Sequence, residues 1–156
     1  MPTIAIGCDP NALGLKEAIE QHLTKLGYEI EDYGSEDPIY ANTAIRVAEA
    51  VAAGKHWRGI LFCGTGIGVS IAANKVPGAY AALVSDPYAA ERAIKSNNAN
   101  IICMGAKTIG PEVAKCLVEI WLKSDYTPGG RSEPKIQCIY QYERTHGAGL
   151  RRRADA

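Results

Sequence analysis

Short apolar runs and helical-period segments alternate along this chain from end to end, and that alternation constrains the fold more than any other feature. Runs near 3–7, 28–33, 58–63, 79–84 and 99–104 have the length and side-chain content of strands. Between them, Leu15, Ala18, Ile19, His22, Leu23 and Leu26 recur at helical spacing before Gly27, and Ala44, Val47, Ala48 and Val51 do so before Gly54. A glycine just past the last apolar position is a usual helix stop. A third helix is predicted from Gly66 to Lys75, a fourth after Asp86-Pro87 and a fifth after Gly110-Pro111, where N-cap and first-turn proline chemistry is written in the sequence. Five such units predict an α/β domain around a five-stranded, mainly parallel sheet.

A chain of 156 residues can close one full core and is too short for two ordinary ones. Residues 1–145 are read as a single domain. The Pro128-Gly129-Gly130 break precedes a segment, 132–145, that is helical in part and free to leave its own domain for a neighbour; the basic tail 146–156, with Arg151-Arg152-Arg153, is expected to be disordered. Lys+Arg and Asp+Glu balance at 17 each, which argues against a nucleic-acid or anionic-membrane partner. Cys8, Cys63, Cys103, Cys116 and Cys138 show neither a CxxC pair nor metal-ligand spacing. They suit a reducing, cytoplasmic setting with no metal and no cofactor. No apolar run approaches the length of a membrane span, and the start lacks a signal-peptide pattern.

In an open parallel sheet, ligands bind beyond the carboxyl ends of the strands. The third of those ends carries Cys63-Gly64-Thr65-Gly66-Ile67-Gly68. The glycines allow a tight turn and close approach of a small anion to the main-chain N–H groups. The positive end of the following helix favours a thiolate at Cys63. A phosphate-binding P-loop would need Lys-Ser/Thr where Val69-Ser70 stands, and a dinucleotide fingerprint would need glycine at Val69. A base or nucleophile beside an anion hole is the reading that remains, against that of a tight turn around a buried cysteine. Of the possible imidazole bases, His22 falls within a helix, His56 precedes a strand at its far end, and His146 lies in the tail.

With Gly7-Cys8-Asp9, the glycine loop, Ser70-Ile71-Ala72-Ala73-Asn74-Lys75, Asp86-Pro87-Tyr88, Asn97-Asn98, Met104-Gly105 and Gly129-Gly130-Arg131 assembled, the chain resembles the ribose-5-phosphate isomerase B family over about residues 3–142. The resemblance implies a three-layer, Rossmann-like domain whose C-terminal helix packs on a partner subunit. It also implies a homodimer or tetramer with active sites at the interface, and metal-free aldose–ketose isomerisation of a sugar phosphate through a cis-enediolate. In that scheme Cys63 is the base, Thr65 moves protons between oxygens, and Gly64, Gly66 and Gly68 with Asn97 form the oxyanion site. Asp9 takes part in catalysis. Arg131, from the other subunit, grips the phosphate, with Lys135, Asn11, Tyr40 and Ser96 as further substrate contacts.

Three departures from the family pattern bear on substrate. Pro10-Asn11 replaces a histidine after Gly-Cys-Asp, Tyr40-Ala41-Asn42 replaces Tyr-Pro-His, and Ser96 stands where many members carry a histidine that assists ring opening. A pentose 5-phosphate closes to a furanose and a hexose 6-phosphate to a ring as well. A tetrose 4-phosphate cannot, because its C4 oxygen is esterified and closure through C3 would give a strained four-membered ring. The substitution at Ser96 therefore favours the family branch acting on erythrulose 4-phosphate and erythrose 4-phosphate. Ribose 5-phosphate or allose 6-phosphate stays open as the alternative, with a water at Ser96 or Asp9 opening the ring. A non-catalytic nucleotide- or phosphate-sensing module is the competing reading from another class, since the fold alone carries no function.

Overall fold

The computed structural model describes the backbone of residues 2–154 and the side chains of residues 2–146. Its five strands are β1 (Thr3–Cys8), β2 (Glu29–Asp32), β3 (Arg58–Cys63), β4 (Ala81–Leu83) and β5 (Ile101–Gly105). They form one sheet in the order β2-β1-β3-β5-β4, and every pairing is parallel. The helices are α1 (Leu13–Lys25), α2 (Tyr40–Ala52), α3 (Ile67–Ala73), α4 (Pro87–Lys95), α5 (Pro111–Lys123) and α6 (Glu133–Ala154).

Side chains alternate across the sheet as a two-residue period requires. Ile4, Ile6, Ile60, Phe62, Ile102 and Met104 face a core closed by α1, α4 and α5. Ala5, Leu61, Cys63, Ile101 and Cys103 face a second core under α2 and α3. The result is a three-layer Rossmann-like architecture. On the second face Gly59 lets α2 lie close: a Cβ there would stand 3.1 Å from both Val47 Cγ1 and Val51 Cγ2.

Local sequence explains most boundaries. Gly27 and Gly54 follow α1 and α2 with φ of 92° and 79°, and paired amide bonds such as Gly27 N–H to Thr24 O (3.0 Å) and Tyr28 N–H to Leu23 O (3.0 Å) close the last turn. Asp86 caps α4 by accepting from Ala89 N–H at 2.8 Å, with Pro87 in the first turn. The expected third helix loses its first residue, because Gly66 sits at φ 80° as the cap. It also ends early: the Asn74 side chain pairs with both backbone groups of Ala81 (2.8 and 2.9 Å). That clamp covers the open side of the short edge strand β4, which spans three residues of the expected 79–84 run.

The terminal helix α6 packs its first turns on its own chain. Ile136 is buried, and Glu143 accepts from Gly78 N–H at 2.8 Å and Tyr80 O–H at 2.5 Å. Ile139 and Tyr142 on the same helix stay exposed. The arginine triplet lies outside the described side chains.

Candidate active site

The carboxyl edge of β1 and β3 carries the reactive group. Asp9 N–H bonds to Phe62 O (3.0 Å), so the turn after β1 is tied beside the residue preceding Cys63. Asp9 is 9% exposed and caps a single 3-10 turn, Pro10–Ala12, accepting from Asn11 N–H at 3.3 Å. Cys63 is 5% exposed, and Gly66 N–H points at its sulfur from 3.1 Å. An amide aimed at sulfur stabilises negative charge there. Burial pushes the thiol of Cys8 up to about 12 and that of Cys103 well above the usual thiol range, the latter despite a hydrogen bond with Ser70, so both stay neutral.

Thr65 stands exposed at the mouth, its hydroxyl accepting from Ile67 N–H at 3.2 Å. The N–H groups of Thr65 and Gly68 bond to nothing among the described residues, so they remain available to an oxyanion. Tyr40 lays the tip of its ring against Gly68 in the place a Cβ would take, so any larger residue there would push the ring aside. Gly66 is constrained more firmly, because its φ is 80° and a Cβ would meet Leu83 Cδ1 at 2.6 Å and the Met104 carbonyl carbon at 2.9 Å.

The turn after β5 locks this loop from the other side. Ala106 N–H bonds to Cys63 O and Lys107 N–H to Gly64 O, both at 2.9 Å. The aliphatic stem of Lys107 passes alongside Gly64, its Cδ 3.7 Å from the place of a Cβ. Sequence reasoning missed it, although its position two residues after the Met104-Gly105 strand end marked it as an edge residue.

A second cluster stands apart. Ser96, the C-cap of α4, and Asn97 after it lie just before β5 begins, at the amino edge of the sheet, where Asn100 O accepts from Gly59 N–H at 2.9 Å. Four residues of strand, about 13 Å at the usual rise, separate Gly59 from Cys63. Arg131, Lys135 and Ser96 line one cleft of about 470 Å³ with Arg92 and Lys95 of α4. No residue of the glycine loop lines it. Asn97 donates its side-chain amide to Arg92 O at 3.2 Å and faces the side of α6, so one chain does not bring it to the loop amides as the oxyanion reading required. The helix that carries it runs from the carboxyl edge back to the amino edge, as the crossover of a parallel βαβ unit must.

The histidines are engaged elsewhere: His56, 3% exposed, bonds Tyr33 O–H at 2.7 Å, and His22 pairs with Glu119 at 3.1 Å between α1 and α5. Among the described residues no helix is long and apolar enough to cross a membrane.

A buried thiol with an amide at its sulfur, a hydroxyl at the mouth and unpaired loop N–H groups suits proton transfer beside a carbonyl, and the sequence comparisons agree. A family-wide sequence profile described as Ribose/Galactose Isomerase matches residues 4–139. The D-erythrulose-4-phosphate isomerase of Pectobacterium atrosepticum is 48% identical over 92% of this chain and 96% of its own. The ribose-5-P isomerase B of Listeria innocua is 45% identical over 90% and 96%. The solved ribose-5-phosphate isomerase B of Clostridium thermocellum superposes with a TM-score of 0.87 at 39% identity, covering 92% of this chain and 99% of that one. Fold, site and relatives define an enzyme of the aldose–ketose isomerase class acting on sugar phosphates. The chain belongs to the Ribose/Galactose Isomerase family. The non-catalytic sensing reading is set aside.

Proposed function

We propose that the enzyme interconverts erythrulose 4-phosphate and erythrose 4-phosphate through a cis-enediolate, in a site assembled from two copies of the chain. One copy supplies Cys63, Thr65, Asp9, Asn11, Tyr40 and the loop of Gly64, Gly66 and Gly68, in which Gly66 N–H serves the sulfur and the free amides of Thr65 and Gly68 are left for the oxyanion. The Cys63 thiolate takes the proton from the carbon next to the carbonyl and returns it to the neighbouring carbon. Thr65 passes a proton between the two enediolate oxygens while the loop amides hold the negative charge. No redox partner is needed, because the two carbons exchange oxidation levels within one molecule.

The second copy supplies Ser96, Asn97, Lys135 and Arg131, whose guanidinium presents a two-pronged donor to the phosphate. The distance between the two clusters in one chain supports this division. So does an apolar strip beside the glycine loop, where Ile67, Ile71 and Leu83 are 51%, 59% and 44% exposed. A strip of that kind fits self-association as a homodimer or a tetramer of such pairs. Ile139 and Tyr142 give α6 an apolar face for the same partner. We place the isomerase domain at residues 1–145, followed by a tail over 146–156, in the cytoplasm.

The observation that carries the tetrose assignment is the chemistry at position 96. A hydroxyl held by Arg92 at 3.4 Å stands in the phosphate cleft, and no histidine lines that cleft. An open-chain substrate needs none. The similarity to the Listeria ribose-5-P isomerase B supports the alternative that ribose 5-phosphate is turned over. Measuring kcat/KM on erythrulose 4-phosphate, ribose 5-phosphate and allose 6-phosphate side by side separates them. A tetrose preference of tenfold or more, about 1.4 kcal/mol, is expected, and equal or better turnover of ribose 5-phosphate would overturn it. Cys63→Ala should leave the fold intact and abolish turnover; retention of more than about a tenth of the activity would remove Cys63 as the base.

A further inference from the structure

We propose that Arg92 is a further substrate-binding residue of this site, a ligand to the sugar phosphate's phosphoryl group held in place by Ser96. The inference rests on the composite-site reading above. The cleft that holds Arg131 and Lys135 has α4 as its other wall, and Arg92 projects from that wall. Four cations, Arg92, Lys95, Arg131 and Lys135, share the cleft with the single carboxylate of Glu133, so it favours an anion.

Arg92 is poorly satisfied by its own chain. One terminal nitrogen donates to Glu91 at 2.9 Å and the other to Ser96 Oγ at 3.4 Å. Its Nε is buried with no partner among the described residues. A guanidinium carries five N–H donors, so three are left over, in the planar array that matches phosphate oxygens. Glu91 does not neutralise it alone, because the same carboxylate also takes Lys95 at 3.4 Å. With the Arg92 side chain 37% exposed, that pair is weak and readily exchanged for a dianion.

The contact with Ser96 fixes where the guanidinium lies. A one-carbon side chain at position 96 leaves room for Arg92 to cross it toward the 126–135 wall, and the hydroxyl accepts one of its protons. Lys135 offers only a compact charge, so Arg131 and Arg92 are the two groups able to grip phosphate with forked geometry. Ser96 is thereby a positioning residue as well as a small one.

The test uses the full-length enzyme and two probes, erythrulose 4-phosphate in turnover and inorganic phosphate as competitor. Arg92→Leu should raise KM and the phosphate inhibition constant together by about 10- to 100-fold, the range of a charge-assisted hydrogen bond, with kcat changed less than about threefold. Arg92→Lys should recover part of the loss. A KM and an inhibition constant both within twofold of wild type in Arg92→Leu would overturn the assignment. Phosphate-induced thermal stabilisation separates the two readings: a wild type without activity on erythrulose 4-phosphate that phosphate still stabilises, with Arg92→Leu insensitive, would leave the anion site standing and remove the tetrose assignment.

Discussion

Replacing Gly105 by alanine tests how the reactive loop is held. Gly105 ends β5 directly behind Thr65, and a Cβ there would stand 2.5 Å from the Thr65 carbonyl carbon and 2.6 Å from Thr65 Cα and Thr108 Oγ1. Two of those atoms are backbone and cannot swing away. Relief to an ordinary contact of 3.4–4 Å requires the Thr65 backbone to retreat by about 1 Å. Overpacking of this kind costs about 1–3 kcal/mol, which in a chain of this size lowers Tm by roughly 2–12 °C. The catalytic effect should be larger in proportion, because a 1 Å misplacement of a positioned group costs about 100-fold in rate. Gly14→Ala is the control: nothing lies within 4 Å of a Cβ there, and an alanine inside α1 should stabilise by about 0.5–1 kcal/mol. The assay is kcat on the sugar phosphate well below each variant's Tm, with Tm read by circular dichroism. A Gly105→Ala enzyme with kcat within threefold of wild type would refute the reasoning that the β5 turn fixes Thr65.

Two further predictions concern stability. Glu20 is pushed up to about 7, by burial first and then by the neighbouring Asp32 carboxylate, with Lys16 offsetting only part. Lys16 instead serves Asp32, at 2.6 Å, and with Gly34 N–H outweighs the burial penalty to hold that carboxyl below the usual range. A raised Glu20 binds its proton more tightly folded than unfolded, so its contribution is present below pH about 4.5 and is lost as pH rises through about 7. Glu20→Gln should remove about 2 kcal/mol of that pH-dependent loss, allowing for its 23% exposure and shared site, and urea melts at pH 5 and 8 that show the same difference for both proteins would contradict it. Arg58, 3% exposed, donates to Trp121 O and to Ser124 O at 2.8 Å, anchoring the start of the segment that leads to Arg131. Arg58→Leu orphans two carbonyls and should cost about 2–4 kcal/mol while raising KM; an unchanged Tm would contradict that anchoring role.

The layers and the order of elements were legible in the sequence because each rests on local chemistry. The Gly27 and Gly54 stops, the Asp86-Pro87 start and the alternation in β1, β3 and β5 need no distant partner to be read. The edge strands were harder to bound: β4 is cut short by Asn74, a contact between neighbouring elements that spacing does not reveal. The reactive half of the site was legible as well, since Cys63, Thr65 and the glycines are contiguous. The placement of Asn97 was not. Its distance from the loop follows from the crossover of α4 and appears only once the strands are ordered. Arg92 and Lys107 carried no motif, and their roles come from what stands across a cleft or a turn.

The most direct test of a site built from two chains mixes two defective enzymes. Cys63→Ala alone should be nearly inactive, and Arg131→Ala nearly so when assayed at substrate concentrations far below its raised KM. If the phosphate grip and the base come from different copies, unfolding and refolding an equal mixture yields mixed dimers with one intact site and one doubly defective site. About a quarter of the wild-type activity should then return. A mixture no more active than the two variants measured separately would contradict the account and place Arg131 and Cys63 in the same chain's site, or outside a shared site altogether.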